Sequence, residues 1–68
     1  MSIQDLIDQF EIQGRYIIKT WEEEVCDCVT LARGYDFECE KYDIDEKIRD
    51  RKITYMYAID DALNIEVE

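Results

Sequence analysis

The chain contains no histidine, no proline and only two glycines, Gly14 and Gly34. Without histidine there is no imidazole general base, no Ser-His or Cys-His nucleophile pair and no histidine metal ligand. No repeat and no low-complexity linker interrupts the 68 residues, so a single domain, 1–68, is expected. The longest uninterrupted apolar run is the five residues Tyr55–Ile59, too short to span a membrane. After Met1 the chain is polar and acidic, without the basic region and apolar stretch of a secretory leader; a cytoplasmic protein is expected. Positive charge is also scarce. Eight Lys and Arg stand against eighteen Asp and Glu, a formal charge of -10. Direct binding of nucleic acid is therefore not expected, because phosphate contacts need Lys and Arg and the net field repels a polyanion. The same field favours a basic partner, including a protein surface that itself binds DNA or RNA.

Apolar residues are plentiful. They make up 47% of the chain and include five Tyr, two Phe and one Trp, too many for a disordered acidic tail. The core is nevertheless small: at this size folding buries only about 60% of the surface that the unfolded chain exposes. Most large apolar residues are needed for that core, and few remain to line a deep pocket, so an enzyme is not expected. The three cysteines, Cys26, Cys28 and Cys39, are odd in number and read as reduced thiols. Cys-x-Cys with one further Cys lacks a fourth ligand for zinc, and all three are read as small buried apolar residues. Neither a metal nor a cofactor is expected.

Along the chain, Ser2 suits a helix N-cap, with Asp5 three residues on. Ile3, Leu6, Ile7 and Phe10 follow at helical spacing and predict a short helix whose stripe, Phe10 included, is buried on a sheet. From Ile12 the period changes to two. Ile12, Gly14, Tyr16, Ile18 and Thr20 form one set, and Gln13, Arg15, Ile17, Lys19 and Trp21 a more polar one. Glu22, Glu23 and Glu24 form a turn, and Val25–Arg33 returns as a second strand whose two faces are both partly apolar, so its inner face stays open. Asp36–Asp45 fits either an edge strand or a loop. Asp43 is placed to cap a brief helical segment, Ile44–Arg51. The chain closes with a hairpin: Ile53, Tyr55, Tyr57 and Ile59 alternate with Thr54, Met56 and Ala58, Asp60, Asp61 and Ala62 turn, and Leu63, Ile65 and Val67 alternate with outward Asn64, Glu66 and Glu68. The expected fold is α+β: a four-stranded antiparallel sheet of two hairpins, an N-terminal helix packed on one face, and a short helix or loop between the hairpins.

Two acidic groups and several aromatic residues are the candidate contacts for a partner. Glu22, Glu23 and Glu24 form an acidic tip that could enter a basic groove, although a solvated hairpin turn is the plainer reading of the three. Asp36, Glu38, Glu40, Asp43, Asp45 and Glu46 place six acids within eleven residues, and a basic partner would relieve their repulsion. Asp60 and Asp61 would extend the acidic surface at another hairpin tip, although Asp is an ordinary turn residue. Trp21, on the polar face of its strand, either covers the open side of the sheet or anchors a partner. Tyr35, Phe37 and Tyr42 border the acidic stretch and offer apolar area with, for Tyr, a polar handle. Asp43-x-Asp45-Glu46 lacks the Gly and final Glu of an EF-hand loop.

The segments "IQDLIDQFEIQG", "YIIKTWEEE" and "YMYAIDDALNIEVE" resemble small acidic proteins of prophages and mobile elements of gut Firmicutes. Some proteins of that origin block host nucleases, including anti-CRISPR proteins that cover a DNA-binding groove. The resemblance implies a role between host and mobile element and carries no catalytic motif. The expected function is a non-enzymatic acidic protein-binding module, an inhibitor that occupies the basic groove of a host nuclease or another DNA- or RNA-binding protein. The alternative is a structural or accessory mobile-element domain, a homodimer formed through a sheet face or edge. A continuous acidic surface favours the first; an exposed apolar sheet face favours the second.

Overall fold

The computed structural model describes residues 1–10, 13–35 and 44–68. Its elements run α1 (Ile3–Gln9), β1 (Arg15–Glu22), β2 (Asp27–Tyr35), α2 (Glu46–Arg49), β3 (Ile53–Ile59) and β4 (Ala62–Val67). The expected roles of Ile12, Phe37, Cys39, Tyr42 and the acids Asp36, Glu38, Glu40 and Asp43 fall outside the described residues.

Helix α1 starts as its sequence dictates. The Ser2 hydroxyl accepts from the Asp5 amide at 3.1 Å, and the Asp5 carboxylate accepts from the Ser2 amide at 3.0 Å. This capping box satisfies two of the donors that a helix start leaves orphaned. Ile3 and Leu6 are buried on the sheet. Phe10 is not: it forms the C-cap in an extended conformation and is 53% exposed, which corrects its expected burial. The helical spacing ends one residue too early for Phe10 to stay on the stripe. The cap of α2 is Asp45, whose carboxylate accepts from the Lys47 amide at 2.8 Å. Before it, Ile44 enters the core.

Both hairpins form, β1 with β2 and β3 with β4. They join through β1 and β4, which run parallel, so the sheet is mixed rather than wholly antiparallel, in the order β2-β1-β4-β3. This puts the two strands with the best apolar stripes in the centre. Tyr16, Ile18 and Thr20 stand beside Leu63, Ile65 and Val67, and α1 and α2 cover that face. Residues 36–52 connect the two edge strands, long enough for the crossover that this arrangement requires. Backbone bonds staple the N-terminus down: Ile53 N donates to Met1 O at 2.8 Å and Ile3 N to Arg51 O at 3.2 Å.

Each edge strand carries one extra residue. The register of β2 against β1 shifts at Leu31, and that of β3 against β4 shifts at Thr54. A bulge reverses which face the following residues occupy. In β2, Cys28 and Thr30 therefore share a face with Arg33 and Tyr35. In β3, Ile53 turns to the helices while Tyr55, Tyr57 and Ile59 turn away. No described helix is long and apolar enough to cross a membrane.

Candidate functional site

The face opposite the helices carries no described element. From β1 it presents Arg15, Ile17, Lys19 and Trp21, and from β3 Tyr55, Tyr57 and Ile59. Trp21, Tyr55 and Ile59 are each more than half exposed. At the β2 end of this face Tyr35 is 61% exposed.

Lys19 organises the middle of the face. Its Nζ donates to Asn64 Oδ1 at 3.1 Å and lies 5.0 Å from the centre of the Tyr57 ring. Tyr57 in turn sits 5.5 Å from Tyr55, ring centre to ring centre, in a tilted arrangement. The Tyr57 side chain holds the Lys19 ammonium protonated above the ordinary lysine range, outweighing the opposite effect of desolvation. Asn64 completes its bonding by donating from Nδ2 to Ala62 O at 3.2 Å. It was expected to point outward into solvent, yet it is 3% exposed, because Lys19 and Tyr57 cover it. Next to it Glu66 Oε1 accepts from Cys28 Sγ at 3.6 Å, across the intervening strand β1. Burial, then the Glu66 carboxylate, push the Cys28 thiol up from its usual range.

The face has a charge of its own. Its strand positions hold three cations, Arg15, Lys19 and Arg33, against one carboxylate, Glu66, in a chain where acids outnumber bases by more than two to one. Arg15 and Arg33 lie close together on adjacent strands and, with Tyr35 and Gly34, line a depression of about 350 Å³. Neither guanidinium has a hydrogen bond or ion pair among the described residues.

The acidic residues do not form one surface. Glu22, Glu23 and Glu24 are exposed at the β1–β2 turn, with Trp21 beside them and Val25 60% exposed after them. Tyr35 stands at the other end of the hairpin, on the order of 20 Å away at the rise of an extended strand. Asp45 belongs to the helix side, where its carboxylate is a cap. Asp60 and Asp61 form the β3–β4 turn near Arg15, both at positive φ. Of the expected contact residues, then, Trp21 and Glu22–Glu24 come together, while Tyr35 and Asp45 lie elsewhere.

The cysteines also depart from expectation. Cys26 is exposed in the turn with a φ of 52°, and Cys28 is half-buried; neither belongs to the core. A turn residue in the left-handed region is held at the surface by the hairpin, which overrides the preference of a free thiol for burial. Among the described residues no three Cys, Asp or Glu side chains converge on a metal-sized site.

Sequence reading missed Lys19, Asn64 and the Arg15–Arg33 pair. One signal was present: Arg15, Lys19 and Arg33 are the only cations in the first 35 residues. The parity of Arg33 was hidden by the bulge at Leu31. No protein-family model, curated protein or solved structure matches the chain.

Proposed function

We propose that the chain is a non-enzymatic protein-binding module whose contact surface is the bare sheet face together with the acidic β1–β2 turn at its end. The observation that supports this is the exposure of Trp21 on β1 and of Tyr55 and Ile59 on β3, which share one face of the sheet on either side of β4. Large rings held in place by a sheet lose little entropy on docking and bury much area, which suits them to anchor a partner. The turn adds Glu22, Glu23 and Glu24, so the partner surface pairs an apolar patch with cations. Occupation of a basic groove on a DNA- or RNA-binding protein is the inhibitory form of this reading, with Trp21 as anchor and the three acids in place of phosphates.

Self-association is the second reading, and a specific observation favours it: the uncovered face is apolar and aromatic rather than continuously acidic. Pairing along the full length of either sheet edge is disfavoured, because both edge strands are bulged, and a bulge breaks the ladder that an incoming strand would extend.

The test is capture from a bacterial lysate on the immobilised chain. The paired substitution Trp21→Ala with Tyr55→Ala is expected to reduce capture at any salt. Changing Glu22, Glu23 and Glu24 to Gln is expected to reduce it at low salt only, because exposed charges are screened within about 8 Å at physiological ionic strength. A captured set unchanged by the aromatic substitutions overturns the reading.

A further inference from the structure

The geometry points to a second copy of this chain as the partner of edge strand β3, the two β3 strands pairing antiparallel about a two-fold axis at Tyr57 and joining both sheets into one. This rests on the self-association reading and names the surface that carries it.

The two sheet edges differ in what protects them. Proteins ordinarily blunt an edge strand with charged side chains, Pro or a bulge. β2 has Asp27 and Arg33, and its bulge at Leu31 falls in mid-strand. β3 has no charged residue, alone among the described strands, in a chain that is 38% charged. Its bulge at Thr54 lies at the strand's start and leaves Tyr55–Ile59 in regular register with β4. Tyr55, Met56 and Ile59 are exposed along that run.

The hairpin turn fixes which backbone groups of β3 stand free. Asp60 and Asp61, both at positive φ, form a two-residue loop, and such a loop closes on a hydrogen-bonded pair, here Ile59 with Ala62. Bonded pairs recur at Tyr57 and Tyr55. Met56 and Ala58, between them, therefore aim N–H and C=O at the open edge. None of these groups has a partner among the described residues. Before Thr54 the edge is already occupied: Ile53 N donates to Met1 O at 2.8 Å, and Ser2 bridges Lys52. The remainder calls for an extended strand, which presents donors and acceptors at ladder spacing.

A second β3 supplies that strand. With the axis at Tyr57, Met56 of each copy pairs with Ala58 of the other, each pair exchanging both of its N–H···O=C bonds. On the helix side the long Met56 then lies beside the small Ala58. On the bare side Tyr55 lies beside Ile59 of the second copy, and Tyr57 beside its own counterpart. Aromatic–aromatic and aromatic–β-branched neighbours of this kind stabilise a ladder. No charged side chain stands within the paired run. Asp60 of the second copy falls opposite Thr54 and ends the pairing short of Met1. The contact is isologous and closed, because it uses up the same open edge in both copies.

Size and charge set its strength. Pairing over Tyr55–Ile59 buries less than about 1,000 Å², so the dimer is reversible, with a dissociation constant on the order of 10–100 µM. Each copy carries a formal charge of -10, and the ladder contains no ion pair to offset the repulsion. Added salt screens that repulsion and strengthens the dimer.

Sedimentation equilibrium of the intact chain, up to about 500 µM, tests this. The parent is expected to dimerise, and more tightly at about 0.5 M than at about 0.05 M salt. Ala58→Pro removes an outward N–H and no bond to β4, a position where an edge strand tolerates proline. Met56→Lys adds the charge that the edge lacks. Each, once circular dichroism shows it folded, is expected to lose at least about tenfold in affinity; if Ala58→Pro does not fold, Met56→Lys decides. Tyr55→Lys and Ile59→Glu are each expected to weaken the dimer alone and to recover it when mixed, because the axis sets Tyr55 against Ile59. A parent dimer that survives the edge variants and dissociates with Trp21→Ala overturns the inference and keeps self-association through the face. A monomeric parent overturns both. An affinity that falls as salt is added, or a mixture that does not recover, also overturns the edge pairing.

Discussion

Lys19 and Asn64 join the two central strands on the face that the helices leave bare, with Nζ 3.1 Å from Oδ1. The bond crosses the parallel β1–β4 pairing, the one long-range contact on which the sheet's strand order depends. Asn64→Ala is expected to cost about 1.5–3 kcal/mol, the range for a hydrogen bond to a charged group, read from the denaturant midpoint. Lys19 gives the contact a pH signature. Its folded pKa is raised, so its contribution is complete below the unfolded value, about 10.4, and is lost as the pH rises through the folded value. The parent should therefore lose stability more steeply than Lys19→Met above about pH 10. Parallel slopes for the two proteins would show that the pair does not contribute.

Burial separates two apolar residues of α1. Ile3 is fully buried and Phe10 half exposed. Ile3→Ala is expected to cost about 2–5 kcal/mol, enough to unfold much of a small domain. Phe10→Ala should stay within about 0.5 kcal/mol of the parent. Thermal melts of the two variants check the ranking, and a larger loss for Phe10→Ala would place that ring against the sheet after all.

The start of α1 should respond to acid. Hydrogen bonds from the Ser2 amide and hydroxyl hold the Asp5 carboxyl below its usual range. A lowered carboxyl pKa gives stability that is present above the unfolded value and lost as the pH falls through the folded one. Ser2→Ala is expected to cost about 1 kcal/mol at neutral pH, a fall of about 4–8 °C in Tm. The difference between parent and Asp5→Asn should begin to shrink below about pH 4, the unfolded value, and vanish as the pH falls through the lower folded one.

The two described thiols should differ in reactivity. Cys26 is exposed, whereas Cys28 is half-buried beside Glu66 with its pKa raised. Thiolate is the reacting species, so alkylation near pH 8 followed by peptide mapping should label Cys26 first. Glu66→Gln removes one of the causes and should speed labelling of Cys28; equal rates in parent and variant would count against the contact.

Much of the local structure is written in the chain within a few residues of where it forms. Ser2 and Asp5 make the helix start, the alternation of Tyr16 and Ile18 makes β1, and Leu63, Ile65 and Val67 make β4. Capping and periodicity act over three or four residues, so they are legible without the fold. The trio Trp21, Glu22 and Glu23 was likewise legible as a unit, because a hairpin turn keeps its neighbours together.

Tertiary structure decided the rest. Nothing local states which strand of one hairpin meets which strand of the other. That was settled by covering two apolar stripes at once: Tyr16 and Ile18 stand beside Leu63 and Ile65 under a single helix layer, with β1 and β4 parallel. The bulges at Leu31 and Thr54 come from fitting edge strands to that centre, and each flips the residues after it. Arg33 thereby joins Arg15, and Tyr55 joins Lys19, Asn64 and Tyr57. Sequence supplied these side chains and the local turns; long-range register, which a single extra residue inverts, decided that they share a face.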